Sequence, residues 1–422
     1  MDDFNYENYL PKEYSKPEEE HLFKTKYGIY QGYTYVADRS NPIFQILDIG
    51  DNFISTLREY YLKLQGINLP ETKLYIINAS KVNAFVTFEK ELNSFCIGIF
   101  SGVCEEIEKN VRESLERVKG ILFPEDDADK WYELSFVEAL RFFVAHEYAH
   151  IVCGHITKEE NTEQFEFSNG EHEEGYNLFQ QMKEFQADQV AMGFLCGLTY
   201  ENAQSAHNLR AAQYNQKKEQ FWSTYYPCLP SYICNSISEK KRNEFLAKSK
   251  EKMIENRRKR LKAVMAGVNV VFQTFDTYRK NKLVSLAEKN KLSLEERDSY
   301  LFKSGLSTMR EFDHPLPAIR LESVSRTIGE FIENAEPELA PEQLEDRIMD
   351  FAWVVEIYRN EFKLDALYCH IPHTPTAQDF IQEMECLWQK KKKEFEGFLP
   401  PLVRLFYANR IVDITDEGHL LY

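Results

Sequence analysis

His146-Glu147-Tyr148-Ala149-His150 is an HExxH pattern, a spacing with a definite chemical use. One turn of α-helix carries residues i and i+4 to the same face, so both imidazoles reach a single Zn²⁺ at about 2.0–2.1 Å. Glu147 sits about 100° round the helix from His146, where its carboxylate can take a proton from water activated by the metal. The motif needs a helical setting. Residues 134–152, LSFVEALRFFVAHEYAHIV, supply one: apolar side chains cover a broad face, Pro and Gly are absent, and Gly154 follows as a stop. The bland alternative is a pair of surface histidines. Against it, the flanking FFVA and IVCG stretches make burial of His and Glu costly unless something such as a metal satisfies them.

A catalytic zinc needs a third protein ligand and an open fourth position. The metzincin spacing asks for His six residues beyond His150, where Ile156 stands instead, and His155 misses it by one. Glu184 is the better candidate. Glu184-Phe185-Gln186-Ala187-Asp188 puts two carboxylates one turn apart on a helix with an apolar opposite side. Glu184 then ligates while Asp188 accepts the Nδ1 hydrogen of a ligating histidine, and Ala187 lets two helices approach closely. A solvated acidic face is the competing reading. His155 and the acidic run Glu171-His172-Glu173-Glu174 remain alternative ligand sources.

These residues, in this order, resemble the CAAX-processing and HtpX-like gluzincin peptidases and their soluble relatives. HEYAHIVCGH (146–155) and KEFQAD (183–188) are similar to that family's two metal-binding stretches. LYIINASKVNAFVTF (74–88) with IGIFSGVCEEI (97–107) is similar to its edge strand, and DHPLPAIRLESV (313–324) to its downstream His-Pro segment. The resemblance spans roughly residues 70–325. It implies a zincin-like catalytic domain holding Zn²⁺ on His146, His150 and Glu184, with Glu147 as general base. It also implies His314 or Arg320 beside the cleft, steadying the tetrahedral oxyanion. Transmembrane helices are missing, so hydrophobic and prenylated substrates do not carry over. Among soluble members, the Lit-like phage-exclusion peptidases imply a defence or toxin-type role.

The elements that must position this site read as α+β and predominantly helical. A chain of 422 residues exceeds one typical core. It divides on this reading into an arm and helix (1–69), a catalytic domain (70–325) and a helical extension (326–422). Helical spacing predicts helices over 52–65, 103–118, 134–152 and 177–195, then mostly helix over 201–278 with a break near 227–230. The segment 279–305 reads as a connection with short helices, and the last hundred residues as three or four helices. Residues 126–130 read as an acidic turn and 157–176 as a polar loop. Short β-rich runs at 74–78, 84–88 and 95–100 predict a small antiparallel or mixed sheet. Its edge, at Asn83 to Thr87 or Phe95 to Ile99, can pair with an extended substrate, with Asn83, Ala84 and Phe85 as the first candidates.

Composition narrows the partners. Lys and Arg number 51 against 68 Asp and Glu, a formal charge of −17, which disfavours nucleic acid and anionic membrane. No stretch of about 18 apolar residues and no leader pattern occurs, so the expectation is a cytoplasmic protein acting on a protein or peptide substrate. Eight dispersed cysteines read as reduced thiols, with Cys228 and Cys234 as the one close pair. Two rival functions stay open. One is a regulatory binding protein whose zinc is closed off by His155 or His172; the other is a zinc hydrolase acting on a non-peptide bond.

Overall fold

The computed structural model describes residues 32–33, 42–77, 82–90, 92–122, 128–156, 164–165, 176–225, 231–293 and 317–336, with isolated positions at 296 and between 342 and 357. Helix α1 (Pro42–Gln65) opens on a proline, which is preset for the first helical turn. It buries Phe53, Ile54, Leu57 and Tyr61 at helical spacing. Gly66, with φ +67°, ends it, its N–H donating to the Leu62 carbonyl at 3.1 Å. Strands β1 (Gly32–Tyr33), β2 (Thr72–Ile77), β3 (Ala84–Glu89) and β4 (Ser94–Phe100) follow the β-rich runs. Helix α2 (Ser101–Val118) leaves β4 directly, and α3 (Ala128–Val152) begins inside the segment expected to be an acidic turn. Strand β5 is Gln164–Phe165. The long helices α4 (Tyr176–Tyr225) and α5 (Ser231–Lys289) precede α6 (Pro317–Ala335).

The class is as expected: mostly helix around a small mixed sheet. Strand order is β1-β2-β4-β3-β5, with β2 and β4 parallel and the other pairs antiparallel. Central β4 has neighbours on both sides, which overturns Phe95 to Ile99 as a substrate edge. Strand β3 keeps an outer edge, and β5 pairs along part of it through Phe85↔Phe165 and Val86↔Gln164. All six residues of β3 are buried. Between β3 and β4, Phe85 lies across Gly98, where a Cβ would come within 2.3 Å of the ring.

Helix α3 runs through the middle of the molecule, packed by α1, α2, α4 and α5 and by β3 and β4. That setting explains why it is apolar all round instead of striped. One buried cluster extends from Phe53 and Leu57 of α1, through α3, to Leu321, Val324 and Ile328 of α6. The domain limits read from the sequence therefore shift: α1 belongs to the central core, and the limit at 325 falls inside α6. The residues beyond 357 lie outside the described part.

Helices α4 and α5 are also longer than periodicity predicts. Helix α4 was expected to end near Leu195, but no Pro or Gly occurs from Leu198 to Tyr226, and the helix runs on after its buried stripe stops. Helix α5 likewise continues to Lys289 through part of the expected connection. Among the described residues no helix is long and apolar enough to cross a membrane. Cys96, Cys104, Cys153 and Cys196 are buried free thiols, whereas the side chains of Cys228 and Cys234 lie outside the described part.

Helix α5 lies close against α3 at Gly267. A Cβ at Gly267 would meet the backbone of Ala139, Ser135 and Glu138 at 2.5–2.9 Å, so these helices can approach only because residue 267 has no side chain. Gly267→Ala is expected to destabilise by about 1–3 kcal/mol. Gly329→Ala in α6, where the nearest atoms stand 3.8 Å away, should be neutral or gain up to about 1 kcal/mol from helix propensity. Urea unfolding of the two variants beside wild type measures the contrast.

Candidate metal centre

The site is built where α3 and α4 cross beneath the sheet. Ala145 and Ala149 of α3 and Ala187 of α4 are fully buried, and these small side chains let the helices come close enough to share ligands. The roll of α3 is pinned by Tyr148, whose hydroxyl donates to the Pro70 carbonyl at 2.7 Å. This leaves His146, Glu147 and His150 buried and directed away from water.

His146 Nε2 and His150 Nε2 stand 3.1 Å apart. The Glu184 carboxylate from α4 lies 3.1 Å from the first and 3.4 Å from the second. Two atoms bound at about 2.0–2.1 Å to a tetrahedral ion are about 3.3–3.4 Å apart. The Glu184 contacts use different oxygens, Oε2 toward His146 and Oε1 toward His150, so the three side chains stand near the spacing of ligands round one small cation, with one atom from each within 4.8 Å of the others. Among the described residues they form the cluster able to hold a metal ion.

The other ring nitrogens decide which tautomers face inward. His146 Nδ1 lies 2.9 Å from Asp188 Oδ1. Burial alone would raise the Asp188 carboxyl, but the Arg320 guanidinium, aided by the contact with His146, holds it below the ordinary carboxylate range. Ionised Asp188 can only accept, so His146 donates from Nδ1 and turns an Nε2 lone pair to the centre.

His150 reaches the same state by another route. Gly154, with φ +72°, reverses the chain after α3, and the His155 N–H donates to the His150 carbonyl at 2.9 Å. The two Nδ1 atoms of His150 and His155 are then 2.8 Å apart, and His155 Nε2 is 2.7 Å from Gln186 Oε1. The Gln186 oxygen accepts from His155 Nε2–H, so His155 Nδ1 accepts from His150 Nδ1–H. An Nε2 lone pair of His150 is left facing its partner. Burial, with the nearby Lys183 charge, keeps His155 well below the ordinary histidine range and hence neutral.

Arg320 corrects one expectation. It is fully buried behind the carboxylates, Nε and an Nη donating to the two Asp188 oxygens at 2.7 and 2.9 Å. Its second carboxylate neighbour is Glu184 at 3.6 Å, and it stands over the Phe272 and Phe275 rings of α5. A fork committed in this way orients Asp188 instead of facing a substrate oxyanion. Its carrier α6 is tied to α4 a second time, by Gln189 donating to Ser323 at 2.9 Å.

His314, His172 and the acidic run 171–174 lie outside the described residues. Of the expected edge residues, Asn83 is half-buried, its side-chain oxygen accepting the Ala84 N–H at 2.9 Å. Ala84 and Phe85 are buried in the sheet. Gln186 is the contributor that the sequence reading missed. It lies two residues from each carboxylate, off their shared face, and only the fold of His155 around Gly154 reveals its partner.

The chain matches no family model, no curated protein and no solved structure.

Asp188→Asn removes the negative charge and one of the two acceptor oxygens that His146 and Arg320 share. It should weaken zinc binding about 10–100-fold, measured by competition with a chromophoric chelator. It should also cost about 3–5 kcal/mol of stability, because Arg320 is left buried without its carboxylate.

Proposed function

We propose that this chain is a zinc-dependent endopeptidase with a zincin-like centre, acting on a protein or peptide substrate. The observation that carries the reading is the convergence of the His146 and His150 Nε2 atoms and the Glu184 carboxylate in one buried cluster, with one ligand atom from each within 4.8 Å of the others.

Charge supports it. Glu147, Glu184 and Asp188 are buried together with one guanidinium, Arg320. Counted as ionised, they leave a formal excess of two negative charges, which a divalent cation offsets. All-nitrogen and oxygen donors of this kind suit zinc. Of the two candidates for a closing fourth ligand, His172 lies outside the described residues. His155, the nearest candidate for a fourth ligand, has both ring nitrogens engaged, with His150 and with Gln186.

Zinc, when bound, supplies a Lewis acid that polarises the scissile carbonyl and makes water easier to deprotonate. The chain's own part is to hold and move protons. Glu147, next to His146 on α3, receives the proton of the attacking water and returns it to the departing amine. Asp188 and the His155–Gln186 pair keep both ligating imidazoles in the productive tautomer throughout. The part of the β3 outer edge that β5 does not take at Phe85 and Val86 is left for an extended substrate on this reading. A cytoplasmic defence role extends this reading through the resemblance to phage-exclusion peptidases.

Glu147→Gln should keep one zinc per chain by metal analysis while turnover falls about 10²–10⁴-fold. Glu184→Ala should lose metal as well. Cleavage products are identified by comparing the proteomes of cells expressing wild type and Glu147→Gln. Wild-type cleavage by the Gln variant would refute the mechanism.

A further inference from the structure

A second concavity lies on the same two helices, away from the metal centre. It is a cavity of about 670 Å³ between α1, α3, α4 and α5, a volume in the range of small-molecule sites. Its apolar lining comes from Phe53, Trp131, Leu134, Leu195 and Leu198, and Thr199, Asn202 and Asn256 add neutral polar groups. Four cationic residues, Lys130, Arg141, Lys259 and Arg260, share the lining with a single carboxylate, Glu138.

The charge imbalance has structure. Glu138 is almost fully buried, and one of its oxygens is contacted by both Arg141, at 3.0 Å, and Arg260. Two guanidinium groups thus divide one carboxylate. Burial pulls the Arg260 guanidinium below its usual value despite Glu138, and Arg141 adds to the pull. Lys259 is paired with Glu255, but both are well exposed, and such pairs contribute little. In a chain of net charge −17, a positive cavity with an aromatic wall is a local exception that general surface composition does not explain.

We propose that this cavity binds a small phosphorylated molecule with a flat apolar body, a mononucleotide being the representative. The Arg141 and Arg260 forks suit phosphate oxygens, which accept in pairs. Lys130 and Lys259 offset the remaining phosphate charge at the mouth. The Phe53 and Trp131 wall receives the flat ring system, and the Asn202 and Asn256 amides reach polar groups on its edge. This inference is independent of peptidase activity, because it concerns binding alone.

Calorimetry on the full chain with ADP, adenosine, inorganic phosphate and dodecanoate tests it. ADP should bind at least about tenfold more tightly than adenosine or phosphate, since each of these carries only half of the recognised chemistry. Arg260→Gln should weaken ADP at least about tenfold. Removing Arg260 leaves Glu138 with Arg141 alone and can impair folding, so the exposed pair Lys130→Gln with Lys259→Gln provides the second arm. That double variant should fold normally and lose several-fold in affinity, with a shallower salt dependence. The proposal is overturned if wild type binds neither ADP nor phosphate, if adenosine binds as well as ADP, or if dodecanoate alone binds. Unchanged ADP affinity in the double variant overturns it too.

Discussion

Removing a carboxylate from water costs several kcal/mol unless a counter-charge or hydrogen bonds accompany it, and around the histidine cluster α3 and α4 remove three of them, Glu147, Glu184 and Asp188. That cost organises the centre of the molecule. Asp188 is held by the Arg320 fork and by His146. Glu184 has Arg320 at one side and the two histidines at the other. His155 is oriented by the same requirement that buried polar atoms find partners, its ring nitrogens meeting His150 and the Gln186 oxygen. A cation bound among His146, His150 and Glu184, as proposed, would complete the compensation.

This requirement makes the fold and the site one problem. The guanidinium that balances Asp188 comes from α6, far along the chain, and is positioned by the Phe272 and Phe275 rings of α5. Docking of α6 therefore sets the electrostatic field at the ligands as well as closing the core. The same holds for α3, whose rotation is fixed by Tyr148 on Pro70 and whose distance from α5 depends on Gly267. A shift of either helix by an ångström would separate the atoms of the cluster, so the packing of α3 against its neighbours bears directly on the site.

The ligand pattern was legible in the sequence because it is local. Within a single turn, HExxH and the Glu184 and Asp188 pair declare which groups share a face. The strands were legible for the same reason, as short β-branched and aromatic runs. Long-range facts were not. Periodicity reads 201–225 as helical too, but it did not reveal that this stretch and 177–195 form one continuous helix through residues 196–200. Arg320 showed its type in the sequence but not its direction, and its partner Asp188 is known only from packing. The relay from His150 through His155 to Gln186 depends on the left-handed turn at Gly154, a reversal that the glycine permits but does not reveal.

The two charge imbalances also bear on one another. Glu138 at the cationic cavity and His146 at the metal centre are eight residues apart on α3, about 12 Å along the axis. At that distance opposite unit charges attract by about 0.3 kcal/mol in water and about 1.4 kcal/mol at the effective dielectric of a protein. A dianion in the cavity and a divalent cation among the histidines would each carry more than one unit. Their attraction acts through a packed interior, which salt screens less than it screens surface pairs. If both proposed ligands bind, each would favour the other, and linkage would make the effect equal in both directions. No hinge or helix shift is needed for this coupling, only the rigid helix that holds the two centres at a constant separation.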